Sequence, residues 1–355
     1  MDFSDCKNVL IIRPDNMGDL LMSGPAIRAL KNIANCKITV LCSTKAASVA
    51  ALMAEINDLI IFDLPWLKFD SPADQAIVQL IDAIRQKSFD ACVVFNVYSQ
   101  NPAPCLMLAY LAGIPLRAAF SKENLYGLLS HWLPDDEPFF KIRHQIDRDL
   151  HLARFLGANT KLRQLRITEP SKAMQDRVMN DFGLAPSGYF VLHAGVSEKK
   201  RQYPKKHWVA FAKLLAQEYQ LPIVLTGSKT EEKFNELLVT EMACNVKNLA
   251  GKLDLPALTA IIKQAKGMIS VNTGPMHLAA ALQTPLVALY AQSNPQHQPN
   301  HGLHRVLEYS VPDSLKSSNQ IIRFVNEKQY QDFVPYPSPQ QILISLNSLL
   351  KGDDR

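Results

Sequence analysis

The sequence predicts an α/β protein built from two Rossmann-like domains facing each other across a cleft. Three observations carry this expectation. Short apolar runs that read as buried strands alternate with amphipathic helical stretches, in two separate series. The chain has 355 residues, more than one compact domain usually takes. A polar stretch at 158–187, with Pro170 and Pro186, separates the two series. Such alternation implies parallel sheets covered by helices on both faces, with ligands bound beyond the carboxyl ends of the strands.

In the first series, strands are expected at 8–13 (NVLIIR), 38–42 (ITVLC), 59–63 (LIIFD), 91–96 (ACVVFN) and 117–120 (RAAF). Between them, 73–86 carries Ile77, Leu80, Ile81 and Ile84 at the spacing of one helix face. In the second series, strands are expected at 189–195 (YFVLHAG), 222–227 (PIVLTG), 246–251 (VKNLAG), 267–272 (GMISVN) and 285–290 (PLVALY). Helices near HWVAFAKLLAQEY and LPALTAIIKQA connect them. The domains are drawn at 1–165 and 180–335, and an amphipathic helix at 338–350 is a candidate to pack back on the first.

Hydrophobic residues make up 47% of the chain and charged residues 20%, a globular composition. The net charge of +5 suits anionic small molecules and falls short of a nucleic-acid signature, so no nucleic-acid partner is expected. Six cysteines show neither a C-x-x-C pair nor a zinc spacing and read as reduced thiols. The opening residues lack a signal-peptide pattern, and no apolar run approaches the ~20 residues that span a bilayer. A cytoplasmic protein is expected. Patches such as 65–69 (PWLKF) favour peripheral contact at the inner face of the cytoplasmic membrane.

The strand ends concentrate the chemistry. After the first strand, Arg13, Asp15, Asn16, Gly18 and Asp19 crowd a turn, with a helix expected to begin around Asp19–Leu21. The pattern is neither G-x-G-x-x-G nor a Walker A loop. Gly18 allows the backbone to turn close to a ligand, while Asp19 either presents a carboxylate to the cleft or caps the helix. After 189–195 come Gly195 and Ser197, then Lys200 and Arg201 where a diphosphate would sit, since arginine grips phosphate oxygens as a fork. Lys205 and Lys206 read as a solvated first helical turn. Thr226 and Gly227 lead to Glu231 and Glu232, either of which could take a ribose hydroxyl or simply enrich a helix N-terminus in acid.

At 272–277 (NTGPMH) a strand stops and a helix starts at once. Pro275 suits a first helical turn, and Asn272, Thr273, Gly274 and the following N–H groups form either an anion cradle flanked by His277 or a plain capped turn. His297, His301 and His304 have no acid or cysteine with them, so no metal is expected there.

Four stretches in order, VLIIRPDNMGDLLMSGPAIRALK, LHAGVSEKKRQYPKKHWVAFAKLL, IVLTGSKTEE and ISVNTGPMHLAAALQTPLVALYAQSNP, resemble the ADP-heptose:lipopolysaccharide heptosyltransferases, family nine of the glycosyltransferases. The resemblance covers about 8–295 and is weakest in 65–180. It implies the GT-B fold, with the donor held by the C-terminal domain. It also implies an inverting transferase, with no metal or other cofactor, that moves a sugar (heptose from ADP-heptose by family default) to a lipopolysaccharide core or other surface glycan.

By the same resemblance, Asp19 matches the family's base, Arg201 with Lys200 beside it matches the basic residue ahead of "WP" (here "YP"), and Asn272, Thr273, Gly274 and His277 match "DTG…H". Asn272 stands where aspartate is usual, and Gln292 and Asn294 stand where proline and aspartate are usual. Two alternatives accompany this reading: a GT-B nucleotide-sugar epimerase and a non-catalytic nucleotide-sugar-binding protein. Transfer needs an acceptor, epimerisation does not, and a binding module changes neither substrate.

Overall fold

Among the described residues, two six-stranded parallel sheets carry the fold. The computed structural model describes residues 2–67, 74–300 and 302–352. The chain divides into two compact units, Met1–Arg166 and Ile167–Arg355.

The first unit runs β1 (Asn8–Ile12), α1 (Met17–Ala34), β2 (Lys37–Cys42), α2 (Thr44–Ala50), β3 (Asp58–Ile61), α3 (Asp74–Gln86), β4 (Ala91–Val94), α4 (Ala103–Leu111), β5 (Leu116–Ser121), β6 (His131–Pro134) and α5 (Gln145–Phe155). The sheet order is β3-β2-β1-β4-β5-β6, with Ile11 of β1 opposite both Val40 and Val93. Beyond Asn8 the whole of β1 is buried, as a central parallel strand must be. Helix α1 starts at Met17 behind an extended Asn16, earlier than the expected Asp19–Leu21. Gly18 is therefore a residue of the first helical turn rather than of the loop.

The second unit runs α6 (Lys172–Phe182), β7 (Phe190–His193), α7 (Lys205–Tyr219), β8 (Ile223–Leu225), α8 (Glu232–Met242), β9 (Val246–Asn248), α9 (Leu255–Lys263), β10 (Gly267–Val271), α10 (Gly274–Leu282), β11 (Leu286–Ala291), β12 (His304–Tyr309), α11 (Gln320–Gln329) and α12 (Pro339–Lys351). Its order, β9-β8-β7-β10-β11-β12, repeats that of the first sheet. In each sheet the connections diverge between the first and fourth strands, which places a binding crevice at β1/β4 and another at β7/β10.

Two strands escaped the sequence reading, and both lie at sheet edges. β6 alternates between half-buried and exposed residues, and β12 is only half-buried until Tyr309, so neither presents an apolar run. His304, expected in a loop, opens β12. The strands expected at 189–195, 222–227 and 267–272 end earlier than drawn, which leaves Gly195, Thr226, Gly227 and Asn272 in loops at the carboxyl ends. All six cysteines are free thiols, five of them buried. Trp66 packs against the first core, while 68 and 69 of the apolar patch lie outside the described residues. Among the described residues no helix is long and apolar enough to cross a membrane.

The terminal helix α12 corrects an expectation. Rather than offering its apolar stripe to the first domain, it buries Ile342, Leu346 and Leu349 in the second core with Phe190, Trp208 and Phe211. Leu346 Cδ1 comes so near β10 that a Cβ on Gly267 would lie 3.1 Å from it, which accounts for glycine there. Leu346→Ala should therefore leave a cavity and cost about 2–5 kcal/mol in denaturant unfolding. A loss below about 0.5 kcal/mol would mark α12 as a surface appendage.

Candidate active site

In the first unit, the loop after β1 brings Arg13, Asp15 and Asp19 to the β1/β4 crevice. Arg13 is fully buried. Its Nη1 lies 3.3 Å from Asp15 Oδ2 and its Nη2 3.7 Å from Asp19 Oδ1. None of its nitrogens makes a hydrogen bond among the described residues. Burial opposes this charge, but Asp15, Asp149 and Asp19 together outweigh burial and raise the guanidinium pKa further. Asp19 Oδ2 accepts the Asn16 N–H at 3.2 Å, so the residue does cap α1, while its other oxygen faces Arg13.

A second layer supports this cluster from α5, and the sequence reading missed it. Asp149 is buried, and its carboxylate accepts from Ser23 Oγ at 2.6 Å and from Gln145 Nε2 at 2.8 Å. Ser23 Oγ also lies 3.2 Å from the Asp19 carbonyl oxygen. Burial pushes the Asp149 carboxyl up to about 6, against the pull of Arg13, Ser23, Gln145 and Arg148.

Its neighbour Arg148, also fully buried, grips Asp135 with two N–H groups at 2.7 and 2.8 Å and donates to the Asn96 carbonyl at the end of β4. Gln100, which holds Asn96 through its carbonyl, in turn donates to Asp15 at 2.7 Å. The signal for this layer was present: Ile146, Asp149, Leu150 and Ala153 form one buried helical stripe, and an acid at a core position of such a stripe requires a partner.

The second unit brings more of the expected residues together. Arg201, at the end of the loop after β7, donates from Nη1 to the Asn272 carbonyl beyond β10 at 3.3 Å, so it crosses the β7/β10 crevice. Tyr309 of β12 fixes the Arg201 carbonyl at 2.6 Å. The Glu198 carboxylate pairs with Arg201 at 2.7 Å on one oxygen and with Lys200 at 2.7 Å on the other. Burial disfavours that carboxylate, yet the two cations hold its pKa below the usual range. Thr273 is the extended N-cap of α10, with Pro275 in the first turn and His277 buried just after it.

Gly195, Gly227 and Glu231 form a separate group. A Cβ on Gly195 would collide with the Glu231 carboxylate, and one on Gly227 would lie 3.0 Å from Glu231 Oε2. Both glycines are there to admit this acid. Glu231 Oε2 accepts from Ser228 N at 2.6 Å and from Ser228 Oγ at 2.9 Å, which leaves Oε1 over Gly195. Thr226 Oγ1 lies 3.0 Å from His193 Nδ1, and burial keeps that imidazole below its usual pKa against the attraction of Glu231. Ser197 is exposed in its loop. Glu232 lies apart, paired with Lys229 at 2.5 Å.

The three departures from the family pattern all have local partners. The Asn272 amide accepts from Ala291 N and donates to Ala291 O, each at 3.4 Å. An aspartate could not make the second bond. Gln292 bridges Glu308 and Ser310, and Asn294 caps the turn at 295–297. Among the described residues no three His, Cys, Asp or Glu side chains stand close enough to hold a metal ion, and His301 lies outside those residues.

A sequence model of glycosyltransferase family 9 (heptosyltransferase) matches residues 77–332. Lipopolysaccharide heptosyltransferase 2 of Escherichia coli (strain K12) is 26% identical over 98% of this chain and 99% of its own. Among solved structures, the family 9 glycosyl transferase from Veillonella parvula is 18% identical, covers 99% of each chain and superposes with a TM-score of 0.78. E. coli ADP-heptose lps heptosyltransferase II is 23% identical, covers 98% of this chain and 100% of that one, and gives a TM-score of 0.73. Two parallel six-stranded sheets of one strand order are thus the GT-B architecture of these enzymes, and the chain belongs to glycosyltransferase family 9, the heptosyltransferases.

Proposed function

We propose that the protein is an inverting, metal-independent heptosyltransferase that moves heptose from ADP-heptose to the core of a lipopolysaccharide. The observation that carries this reading is Arg201, which spans the β7/β10 crevice beside the N-terminus of α10 with Lys200 sharing its counter-ion. A diphosphate placed there meets two cations, the Thr273 hydroxyl and the positive end of the α10 dipole. Glu231 Oε1 is the acceptor for a ribose hydroxyl. The names of the relatives, which specify heptose and lipopolysaccharide, support the substrate assignment. The enzyme would act in the cytoplasm, at the membrane that carries a lipid-linked acceptor.

In the reaction, an acceptor hydroxyl oxygen attacks the anomeric carbon opposite the diphosphate while the bond from that carbon to the phosphate oxygen breaks. Asp19 takes the hydroxyl proton. Negative charge grows on the departing ADP, where Arg201 and Lys200 stabilise it as a metal would elsewhere. The Asp19 carboxylate is held by the Asn16 N–H and faces Arg13, and it takes the proton as the anomeric bond stretches. The departures at Asn272, Gln292 and Asn294, on which the binding-module alternative draws, each take local hydrogen bonds, and the retained Asp19 favours transfer.

Three outcomes test this reading. At 100 times its dissociation constant ADP should add ~2.7 kcal/mol to folded stability. Thermal denaturation should show that rise in the native protein and lose most of it in Arg201→Ala, and a full rise in the variant would remove Arg201 from the cradle. Asp19→Asn should lower kcat by ~10²–10⁴ while leaving the ADP-dependent rise in place, and near-native turnover would require another base. As pH falls through about 6, Asp149 takes a proton, Arg13 loses a counter-charge and pulls harder on Asp19. The rate should therefore drop on the acid side of that value, and Asp149→Asn should be slow and flat across it; an unchanged profile would uncouple Asp149 from the base.

A further inference from the structure

The first unit carries an aromatic surface that neither Asp19 nor its supporting cluster uses. It lies in the loops after β5 and β6. Phe139 and Phe140, in the loop that leads from β6 to α5, are 51% and 88% exposed. Trp132, on the exposed side of the edge strand β6, donates its indole N–H to the Ser121 carbonyl at 2.8 Å. The next residue, Lys122, holds its ammonium 4.7 Å from the centroid of the Phe139 ring. Trp132, Lys122 and Phe139 are linked in this way, and Phe140 and Lys141 follow Phe139 directly in the chain. Three large aromatic side chains left together in water mark a surface of contact.

The charges of these loops sort by depth. The acids behind the rings are taken: Arg148 grips Asp135, while Arg143 holds Asp136 at 2.6 Å and stands 3.3 Å from Glu137. Lys122, Lys141 and Glu123 are the exposed charged residues. Lys141 also reaches Asp136, at 3.0 Å, but an exposed pair with an acid that Arg143 already holds is readily exchanged.

Aromatic rings beside lysines match a lipid interface. There the rings settle at the level of the headgroups, and lysine stems lie along apolar surface while their ammonium groups reach the phosphates. Interfaces between proteins also take aromatic residues, but they are depleted in lysine. The chain's net charge of +5 adds attraction to an anionic surface.

Position points the same way. Both loops leave the carboxyl ends of their strands, the edge at which the Asp19 loop leaves β1. β6 is three strands, roughly 14 Å, from β1. A lipid surface held there brings the anchored end of an acceptor to the edge of the sheet that carries Asp19.

We propose that Trp132, Phe139 and Phe140 dock the first unit on an anionic lipid surface, with Lys122 and Lys141 on the headgroup phosphates. The proposal rests on the heptosyltransferase reading for the reason the enzyme visits a membrane.

The test sediments the full chain with vesicles of phosphatidylglycerol and, separately, of phosphatidylcholine. The native protein should pellet with the first and far less with the second, and added salt should weaken the binding. Phe140→Ser should lower the partition about tenfold, and Lys122→Gln or Lys141→Gln about fivefold. Ile344→Ser, at an exposed apolar position of α12 in the second unit, should change nothing. Absence of pelleting, or pelleting untouched by Phe140→Ser, overturns the proposal. So does a native dimer in sedimentation velocity that Phe140→Ser dissociates, which would make the surface a contact between copies. Phe140→Ser should also slow heptose transfer to an acceptor embedded in vesicles and spare transfer to the same glycan freed of lipid. A native protein that binds vesicles but transfers heptose to neither acceptor would overturn the heptosyltransferase reading and keep the docking surface.

Discussion

In a parallel sheet every strand ends at the same edge, so the loops that follow the strands gather there, and this constraint organises both units. In each, the chain leaves the first strand to one side and returns to the fourth on the other, so two loops diverge and leave a gap between them. Arg13 sits at one such gap and Arg201 at the other. Neither arginine could be where it is without the strand order. The apolar strands beneath are buried along nearly their full length, so the loops above them start from fixed points.

The two gaps solve the problem of a cation differently. Arg13 is withdrawn from solvent and surrounded by carboxylates that a helix from later in the chain helps to fix. Its reach is internal: its nitrogens face Asp15 and Asp19. Arg201 keeps a quarter of its side chain exposed and is steadied by hydrogen bonds at its backbone and at one nitrogen. On the proposed function, the cation that meets the donor is the accessible one and the cation beside the base is the buried one. Removing a partner from the buried cluster is the more damaging change, because it strands an uncompensated charge.

How legible all this was in the sequence follows the same division. Central strands such as NVLIIR and GMISVN were readable because both of their faces are apolar, whereas β6 and β12 were invisible because an edge strand needs no such run. The residues proposed for the donor cradle lie close together in sequence within each loop, where motif and spacing can mark them. Asp149 and Arg148 act on Asp19 and Asp15 from more than a hundred residues away, and only tertiary packing brings them there. Helix α12 was recognised as amphipathic, but a stripe of leucines does not say which core it completes.

On the proposed function, Glu198 bears on how the donor is captured. Its two oxygens pair with Lys200 and Arg201 as the oxygens of a phosphate would, so the resting loop would hold a covalently tethered mimic of the diphosphate. The repulsion between the two cations is offset in part, and the field they show to solvent is reduced. Capture then becomes an exchange of one anion for another. Discrimination sharpens as a result: a singly charged ligand gains little by displacing a carboxylate, whereas a diphosphate outbids it.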